Sequence, residues 1–376
     1  MLPLARLTVV TGANGSGKSS VYRALRLLAE TAGGGAVRAL AREGGLESVL
    51  WAGPEQFSAS MRRGEQPVQG TRRREPVNLR LGFAGDEGEF GYAIDIGLPV
   101  ASGSVFDQDP EVKQEHVWAG ALLRPAAMLA RRDRGLLELQ GDAGWQRVPR
   151  ALPGHASMLA EHVDPHGAPE LVALREQLRG WRFYDHFRTD ADAPARTPQL
   201  GTRTPVLGHD GADWAAALAT IREVGDSAAL DAAVADAFGG ATLSVSNDGG
   251  RFSVQMRQPG LLRPLQAAEL SDGTLRYLLW VAALLTPRPP PLLVLNEPET
   301  SLHPDLLPAL GRLIVHAARH TQVFVVTHAS RLIAAIEAGD LADDELLRLT
   351  LDKSLGETRA LVPEPFDTPA WRWSPR

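Results

Sequence analysis

Near its N-terminus the chain reads Gly12-Ala13-Asn14-Gly15-Ser16-Gly17-Lys18-Ser19-Ser20. This G-x-x-x-x-G-K-[ST] pattern follows the apolar stretch from Leu7 to Val10 and precedes a helical pattern of apolar residues that starts at Val21. Glycines let the backbone bend so that successive N–H groups point inward at a polyphosphate, where a helix N-terminus adds its positive dipole. We therefore predict a phosphate-binding loop between a strand and a helix.

Two side chains of this loop carry specific roles. The spacing places Lys18 within reach of the β- and γ-phosphates and the Ser19 hydroxyl on a magnesium ion. The competing interpretation is a glycine-rich turn without a ligand. The order of strand, loop and helix favours the phosphate-binding loop.

Composition limits the class of protein. The chain has 376 residues, of which 44% are hydrophobic and 22% charged, as is typical of a globular protein with one large domain or two. No apolar stretch is long enough to cross a membrane and the N-terminus lacks a signal-peptide pattern, so we expect a cytoplasmic protein. The lack of cysteine excludes disulfides, thiol catalysis and cysteine-ligated zinc. A formal net charge of −6 restricts any nucleic-acid contact to a local patch.

The region after the first helix is harder to interpret. Residues 46–51 predict a short strand that leads into a loop carrying Gln56. The polar stretch from Arg62 to Arg74 contains two arginine clusters, which are compatible with phosphate contacts or with a solvated loop.

The middle of the chain changes to a period of two and predicts an antiparallel subdomain. An aromatic stretch at 181–187 could stack bases, but a buried cluster that anchors this segment is favoured. One hairpin is predicted from 77–83 and 90–96, with the strands 115–118 and 136–139 added to the same sheet, and a second hairpin from 242–246 and 252–257. A third hairpin, 346–352 with 357–361, is predicted near the C-terminus. The predicted helices are 169–178, 214–224 and 230–238.

A second part of the predicted site lies towards the C-terminus. Residues 291–297 contain four consecutive apolar residues and end in the Glu297 carboxylate, as is typical of a buried parallel strand. Ligands of open α/β sheets bind at the carboxyl ends of the strands. Glu297 is therefore predicted to orient or deprotonate a water molecule beside the γ-phosphate. A carboxylate that caps a helix is the alternative.

Two further motifs point to phosphate. The apolar stretch 322–327 ends at His328, which is placed to hydrogen-bond the γ-phosphate or the water, although a structural histidine is the alternative. Leu270-Ser271-Asp272-Gly273 opens an apolar helix and forms a second anion-binding arrangement. Because one subunit needs only one phosphate site, this motif predicts a head-to-tail dimer with two ATP molecules between the subunits.

Together these motifs resemble an ABC-type ATPase of the RecF/SMC-like group, which includes bacterial predicted ATPases loosely called AAA-family or RecF-like. Besides the motifs above, residues 301–305 resemble the D-loop of that group, and Gln56 matches its Q-loop by position. The resemblance implies an α/β P-loop NTPase head with a mostly parallel core sheet, an antiparallel β subdomain and an inserted α+β lid. The implied boundaries are 1–60 plus 265–362 for the head, 61–264 for the lid and 363–376 for a flexible tail.

The resemblance also implies a function. ATP and Mg²⁺ are the implied cofactors, Lys18, Glu297 and His328 the catalytic residues, and Ser271, Asp272 and Gly273 the signature that closes the partner's site. An ATP-dependent homodimer, DNA contact through the lid and the 62–74 region, and an effector protein encoded nearby are the implied partners. DNA repair, phage defence and regulation of a neighbouring gene product all fit such a head.

Position 296 departs from the family pattern, since Asn296 stands where most such ATPases have an aspartate. An amide keeps an oxygen that can act through a magnesium-bound water but loses the negative charge. An ATP-gated scaffold with little turnover is therefore the alternative function. A transporter subunit and a dedicated nuclease are disfavoured. The residue that stacks on the adenine stays unassigned.

Overall fold

A computed structural model describes residues 2–70, 77–86 and 88–361. The strands in these ranges are β1 Leu7–Gly12, β2 Leu79–Phe83, β3 Phe90–Gly97, β4 Glu111–Ala119, β5 Met128–Asp133, β6 Leu136–Gly141, β7 Gly144–Arg147, β8 Arg182–Tyr184, β9 Gln199–Leu200, β10 Thr242–Asp248, β11 Arg251–Arg257, β12 Leu265–Gln266, β13 Leu292–Asn296, β14 Gln322–Val326, β15 Leu346–Ser354 and β16 Glu357–Leu361. The α-helices are α1 Lys18–Thr31, α2 Ala36–Arg42, α3 Leu46–Val49, α4 Ala59–Arg62, α5 Met158–Glu161, α6 Pro169–Gly180, α7 Trp214–Val224, α8 Ser227–Ala237, α9 Asp272–Leu284, α10 Leu307–Ala318 and α11 Ser330–Glu337.

The central sheet brings the two ends of the chain together. Its six strands follow the order β16-β15-β1-β14-β13-β8, and all of them are parallel except β16. Successive residues of β13 alternate between two hydrophobic cores, with Leu293 and Leu295 in one core and Val294 in the other. Burial on both faces explains the unbroken apolar run of this strand. The parallel arrangement places the carboxyl ends of β1, β14 and β13 at one edge of the sheet.

Two antiparallel sheets complete the structure. One contains β2 to β7 in chain order, and the other contains β10, β11 and β12 with β9 paired to β11. The three predicted hairpins, the two added strands and the three predicted helices are present. The expected mixed α/β class with a parallel core sheet and an antiparallel subdomain is confirmed.

The predicted strand at 46–51 is wrong, because residues Leu46–Val49 form the short helix α3. Leu46 is buried and Val49 packs against the same core. Residues three positions apart share a helix face, so a single helical turn places both side chains against this core. A short apolar stretch does not distinguish the two conformations.

The aromatic stretch at 181–187 is buried, as predicted, with Trp181 and Phe183 in one core and Tyr184 and Phe187 in the other. Its central residues also form β8, which pairs in parallel with β13. The lid boundaries at 61 and 264 stay a prediction, but β8 lies between them and still belongs to the central sheet.

A buried ion pair joins the adjacent strands β4 and β5 of the six-stranded antiparallel sheet. Arg132 Nη1 lies 2.8 Å from Glu115 Oε2, and both side chains are fully buried. The Tyr92 hydroxyl donates a 2.6 Å hydrogen bond to the other Glu115 oxygen, and the Met158 amide donates one of 2.8 Å to Oε2. Burial raises the pKa of Glu115, and Arg132 opposes that shift.

Glu115→Ala is expected to lower the free energy of unfolding by about 3–5 kcal/mol, because it leaves the Arg132 charge buried without its partner. Denaturant titration followed by circular dichroism measures this change. Glu138→Ala is the control, since Glu138 forms an exposed pair with Arg131 worth about 0–1 kcal/mol. If both variants lost the same free energy of unfolding, the buried pair would contribute no more to stability than the exposed pair.

Candidate active site

The predicted phosphate-binding loop joins β1 to α1 at the carboxyl edge of the central sheet. Gly15 and Gly17 have φ values of 79° and 106°, a left-handed conformation that favours glycine. The Ser16 hydroxyl is buried and lacks a hydrogen-bond partner in the described residues. An unpartnered donor among backbone amides at a helix N-terminus fits a site for an anionic ligand.

Lys18 lies within this loop and is only 6% exposed. Its Nζ donates hydrogen bonds of 2.7 Å to the Gly12 carbonyl and 3.1 Å to the Ala13 carbonyl. The ammonium is thereby held at the loop, where it can exchange a carbonyl partner for a phosphate oxygen.

A cleft of about 950 Å³ opens in front of the loop. It is lined by residues of the loop, by residues 49–53, by Glu297 and by the β15–β16 hairpin. The hairpin also braces the loop, since the Thr358 hydroxyl donates a 2.9 Å hydrogen bond to the Ser16 carbonyl. A Cβ at Gly17 would overlap the Thr358 side chain, which gives a second reason for glycine there. The sequence identified this hairpin but not its contact with the loop.

Glu297 follows β13 and reaches the same cleft as Lys18. Its φ of 47° is unusual for a residue with a side chain, and its amide donates a 2.8 Å hydrogen bond to the Val326 carbonyl of β14. The Glu297 side chain is 43% exposed. The strand end thus presents this carboxylate to the cleft, so the structure brings together two of the predicted catalytic residues.

His328 follows β14 and stands beside two carboxylates. Its Nδ1 lies 3.3 Å from Glu299 Oε1 and 3.8 Å from Glu297 Oε1. Glu299 is buried, and its Oε1 accepts hydrogen bonds from the Thr327 hydroxyl at 2.6 Å and the His328 amide at 3.0 Å. Glu299 therefore fixes the turn that carries the histidine. Glu299 was not among the site residues predicted from the sequence.

Asn296 contacts a carboxylate that sequence reasoning missed. Its Nδ2 donates a 3.1 Å hydrogen bond to Asp185 Oδ1, and Asp185 also pairs with Arg26 of α1 at 3.3 Å. A carboxylate only accepts hydrogen bonds, so the amide nitrogen must face Asp185 and Oδ1 of Asn296 points elsewhere. Asp185 directly follows β8, which pairs with β13. The sequence signal that could have identified Asp185 is a carboxylate directly after a short apolar stretch.

The signature motif lies outside this cleft. Ser271 caps α9, and its hydroxyl accepts a 3.2 Å hydrogen bond from the Thr274 amide. Arg196 donates a 2.7 Å hydrogen bond to the Leu270 carbonyl and pairs with Asp272. Ser271 and Asp272 are exposed, and neither they nor Gly273 are among the described residues that line the cleft.

The geometry does not place Gln56 or the described arginines of the 62–74 stretch in the cleft. Gln56 is exposed and is not one of the described residues that line the cleft. Arg62 stacks over the Phe57 ring and Arg63 pairs with Glu65, so the described arginines of the 62–74 stretch have partners within the chain. Arg72, Arg73 and Arg74 lie outside the described residues.

Magnesium prefers oxygen ligands, and the two predicted metal residues, Ser19 and Asn296, both carry oxygen donors. Ser19 is exposed and lines the cleft, whereas Asn296 is not among the described residues that line it; its amide oxygen is not used by Asp185. Within the described ranges, no group of three or more histidine, aspartate or glutamate side chains is arranged to hold a metal. The same ranges contain no helix that is long and apolar enough to span a membrane.

A protein-family model matches most of the chain. The family described as "AAA domain, putative AbiEii toxin, Type IV TA system" matches residues 7–334. No curated protein matches the chain.

Solved structures similar to this chain include three heads of Smc proteins. The crystal structure of an Smc head bound to the C-winged helix domain of ScpA is 13% identical, covers 96% of this chain and 91% of that chain, and has a TM-score of 0.48. The SMC head domain from Thermotoga maritima is 13% identical, covers 97% and 93%, and has a TM-score of 0.41. The Smc head from Pyrococcus furiosus, with an extended coiled coil and bound to the C-terminal domain of ScpA, is 12% identical, covers 96% and 91%, and has a TM-score of 0.45.

Proposed function

The chain belongs to this AAA-domain family, as expected for an ABC-type ATPase of the RecF/SMC-like group, and we propose that it binds ATP and hydrolyses the β–γ phosphoanhydride. One observation carries the proposal: Lys18 and Glu297 line one cleft, although they lie far apart in the sequence. A phosphate-holding cation and a carboxylate that can act on water are two of the parts that such hydrolysis needs.

The chain's own residues account for the proposed steps. The loop amides and Lys18 hold the phosphates, and Lys18 gives up a loop carbonyl to do so. Glu297 accepts a proton from water as the water oxygen bonds to the γ-phosphorus and the bond to the bridging oxygen breaks, which yields ADP and phosphate. His328, held by Glu299, donates a hydrogen bond to the γ-phosphate or to the water.

Magnesium completes the proposed site. Ser19 would hold the ion directly, and Asn296 would hold it through water. When bound, the ion neutralises negative charge that develops on the phosphate oxygens. Asp185 fixes the Asn296 amide so that its oxygen remains available as an acceptor.

An exchange of charge between Asn296 and Asp185 tests this role. The double variant Asn296→Asp/Asp185→Asn keeps the hydrogen bond and the net charge but moves the carboxylate to the family's position. We expect the magnesium concentration for half-maximal ATP binding to fall about three- to ten-fold, since a full charge acts on the ion through water. Calorimetric titration of ATP at varied magnesium measures it.

The single variant Asn296→Asp is the control for that exchange. It places two carboxylates at hydrogen-bond distance, and their repulsion offsets part of the gain. An identical magnesium dependence in wild type and both variants would place Asn296 outside the water shell of the metal.

A dimer is part of the proposal. The signature has an exposed serine at the N-terminus of α9 but lies outside the cleft of its own subunit. Ser271, Asp272 and Gly273 would therefore close the cleft of a second copy in a head-to-tail homodimer with two ATP molecules.

Phosphate release decides between hydrolysis and the ATP-gated scaffold. The enzyme releases phosphate with multiple turnovers, whereas the scaffold binds ATP and dimerises without release. Stimulation of that release by double-stranded DNA tests the proposed repair or defence role. The cytoplasmic location and an effector partner stay predictions.

A further inference from the structure

The signature is held by a side chain from a distant part of the sequence. We call residues 267–272, which lead into α9 and include Ser271, the signature loop. Arg196 Nη1 donates a 2.7 Å hydrogen bond to the Leu270 carbonyl, and Nη2 of the same side chain pairs with the Asp272 carboxylate. One guanidinium therefore contacts the residues immediately before and after Ser271.

The same guanidinium is anchored on a second segment of the chain. Its Nε donates hydrogen bonds of 2.9 Å to the Thr189 carbonyl and 3.0 Å to the Asp190 carbonyl, and Nη2 donates one of 2.7 Å to the Thr189 carbonyl. This segment follows β8, which belongs to the central sheet. The Arg196 side chain is only 10% exposed. Acceptors at Nε, Nη1 and Nη2 leave the planar guanidinium little freedom to move, so it fixes the signature loop against this segment.

The helix behind the signature loop is attached to the same segment by a different arginine. Arg276 of α9 is buried, and its Nη2 donates hydrogen bonds of 3.1 Å to the Phe187 carbonyl and 3.2 Å to the Thr189 hydroxyl. The helix is thus held without Arg196, whereas the loop in front of it is held by Arg196. Loss of Arg196 should therefore release the loop and leave the helix in place.

The position of Arg196 separates its effect from nucleotide binding in its own subunit. Arg196 is not among the described residues that line the cleft. Ser271 and Asp272 are exposed, as a surface that meets a second subunit must be. A loop that is already held in its bound shape loses less conformational entropy when it binds. An arginine that fixes the signature loop therefore favours contact with another copy of the chain.

We propose that Arg196 is a positioning residue for the cleft of the second copy, since it holds the signature loop in the shape that closes that cleft around ATP. This inference rests on the proposed hydrolysis and head-to-tail dimer, and it gives a residue of the predicted lid a role in the site. Arg196 acts through the loop backbone and Asp272 without touching the nucleotide. Its loss should lower hydrolysis in the other subunit's cleft and leave nucleotide binding in its own cleft unchanged.

The first experiment compares Arg196→Ala, Arg196→Lys and Arg182→Ala with wild type. Calorimetry with ADP measures binding to one cleft, because ADP is not hydrolysed and lacks the γ-phosphate, and phosphate release from ATP measures hydrolysis. Arg182 is the matched control, since its Nη1 also donates a 3.0 Å hydrogen bond to a main-chain carbonyl, that of Arg179, but lies at the start of β8. Thermal unfolding of each variant checks that it is folded. Lysine keeps the positive charge, which retains a folded variant if alanine does not, but its ammonium cannot span acceptors on both segments.

We expect Arg196→Ala to bind ADP like wild type and to release phosphate about a hundred-fold more slowly, a loss that a misplacement of about 1 Å can cause. Arg196→Lys should show a smaller loss and Arg182→Ala none. A wild-type rate in the folded Arg196 variants overturns the inference, as does weakened ADP binding, while the proposed hydrolysis stands in both cases. If wild type itself releases no phosphate, the proposed hydrolysis fails and the inference with it.

Mixed dimers show in which subunit Arg196 acts. Glu297→Gln keeps its signature loop, whereas Arg196→Ala keeps its cleft, so a head-to-tail dimer of the two contains one complete site. Mixing them before ATP is added should raise phosphate release at least about five-fold above the sum of the separate proteins, since random pairing makes about half of the dimers mixed. A mixture that releases no more than this sum would show that Arg196 acts on its own subunit and would overturn the inference.

Discussion

Replacement of Lys18 by alanine is expected to abolish ATP binding at concentrations that saturate the wild-type protein. The substitution removes the cation that the loop holds in reach of the β- and γ-phosphates. A charge-assisted hydrogen bond is worth about 1.5–3 kcal/mol, so the loss of two such bonds weakens binding by at least about a hundred-fold. Calorimetric titration with magnesium and ATP measures the change.

Lys113→Ala is the matched control for Lys18→Ala. Lys113 is also only partly exposed and pairs with Glu111 in the antiparallel sheet, outside the described lining of the cleft. Its variant should bind ATP like wild type. If Lys18→Ala retains wild-type affinity while folded, the phosphates do not bind at this loop and the proposed function is wrong.

The Glu297→Gln variant is expected to bind ATP normally and to lose hydrolysis by about a hundred- to ten-thousand-fold, the usual contribution of a general base. Glutamine keeps the size and shape of the side chain and one acceptor oxygen, but it does not accept the proton from water. ATP should therefore persist, and the two-nucleotide dimer should accumulate. Phosphate release measures the first effect, and light scattering with ATP measures the second.

Glu357→Gln provides the control, because Glu357 lines the same cleft from β16 and has no assigned role in the chemistry. It should hydrolyse ATP at close to the wild-type rate. If the Glu297→Gln protein still hydrolysed ATP at the wild-type rate, Glu297 would not be the residue that accepts the proton from water. A monomer at saturating ATP would instead exclude the head-to-tail arrangement inferred from Ser271 and Gly273.

Several parts of the fold were predictable because the signals are local. The period-two stretches from 77 and from 242 form the expected hairpins, and Pro169 begins the expected helix α6. The strands β13 and β14 were predicted from their uninterrupted apolar residues. The segment Leu46–Val49 was mistaken for a strand because four residues carry too little periodicity to separate a helical turn from an extended chain.

Some parts of the candidate site were likewise predictable from local signals, and others were not. Lys18, Glu297 and His328 follow β1, β13 and β14, and a parallel sheet collects the carboxyl ends of its strands at one edge, so their location at that edge follows from the strand pattern. Asp185 was missed because β8 is only three residues long and lies in a segment interpreted as an insertion. Its contact with Asn296 exists only because β8 pairs with β13.

The sequence alone predicted the glycine-rich loop between β1 and α1 and the carboxylate after β13, and it determined the class of the fold, because glycine spacing and apolar runs act over a few neighbouring residues. Only the tertiary structure decided which distant groups complete the cleft. Trp51 lies beside the Gly356 turn, and Thr358 braces Ser16, because β15 pairs in parallel with β1. Pairing between strands far apart in the chain depends on the packing of both cores, which a local pattern does not encode.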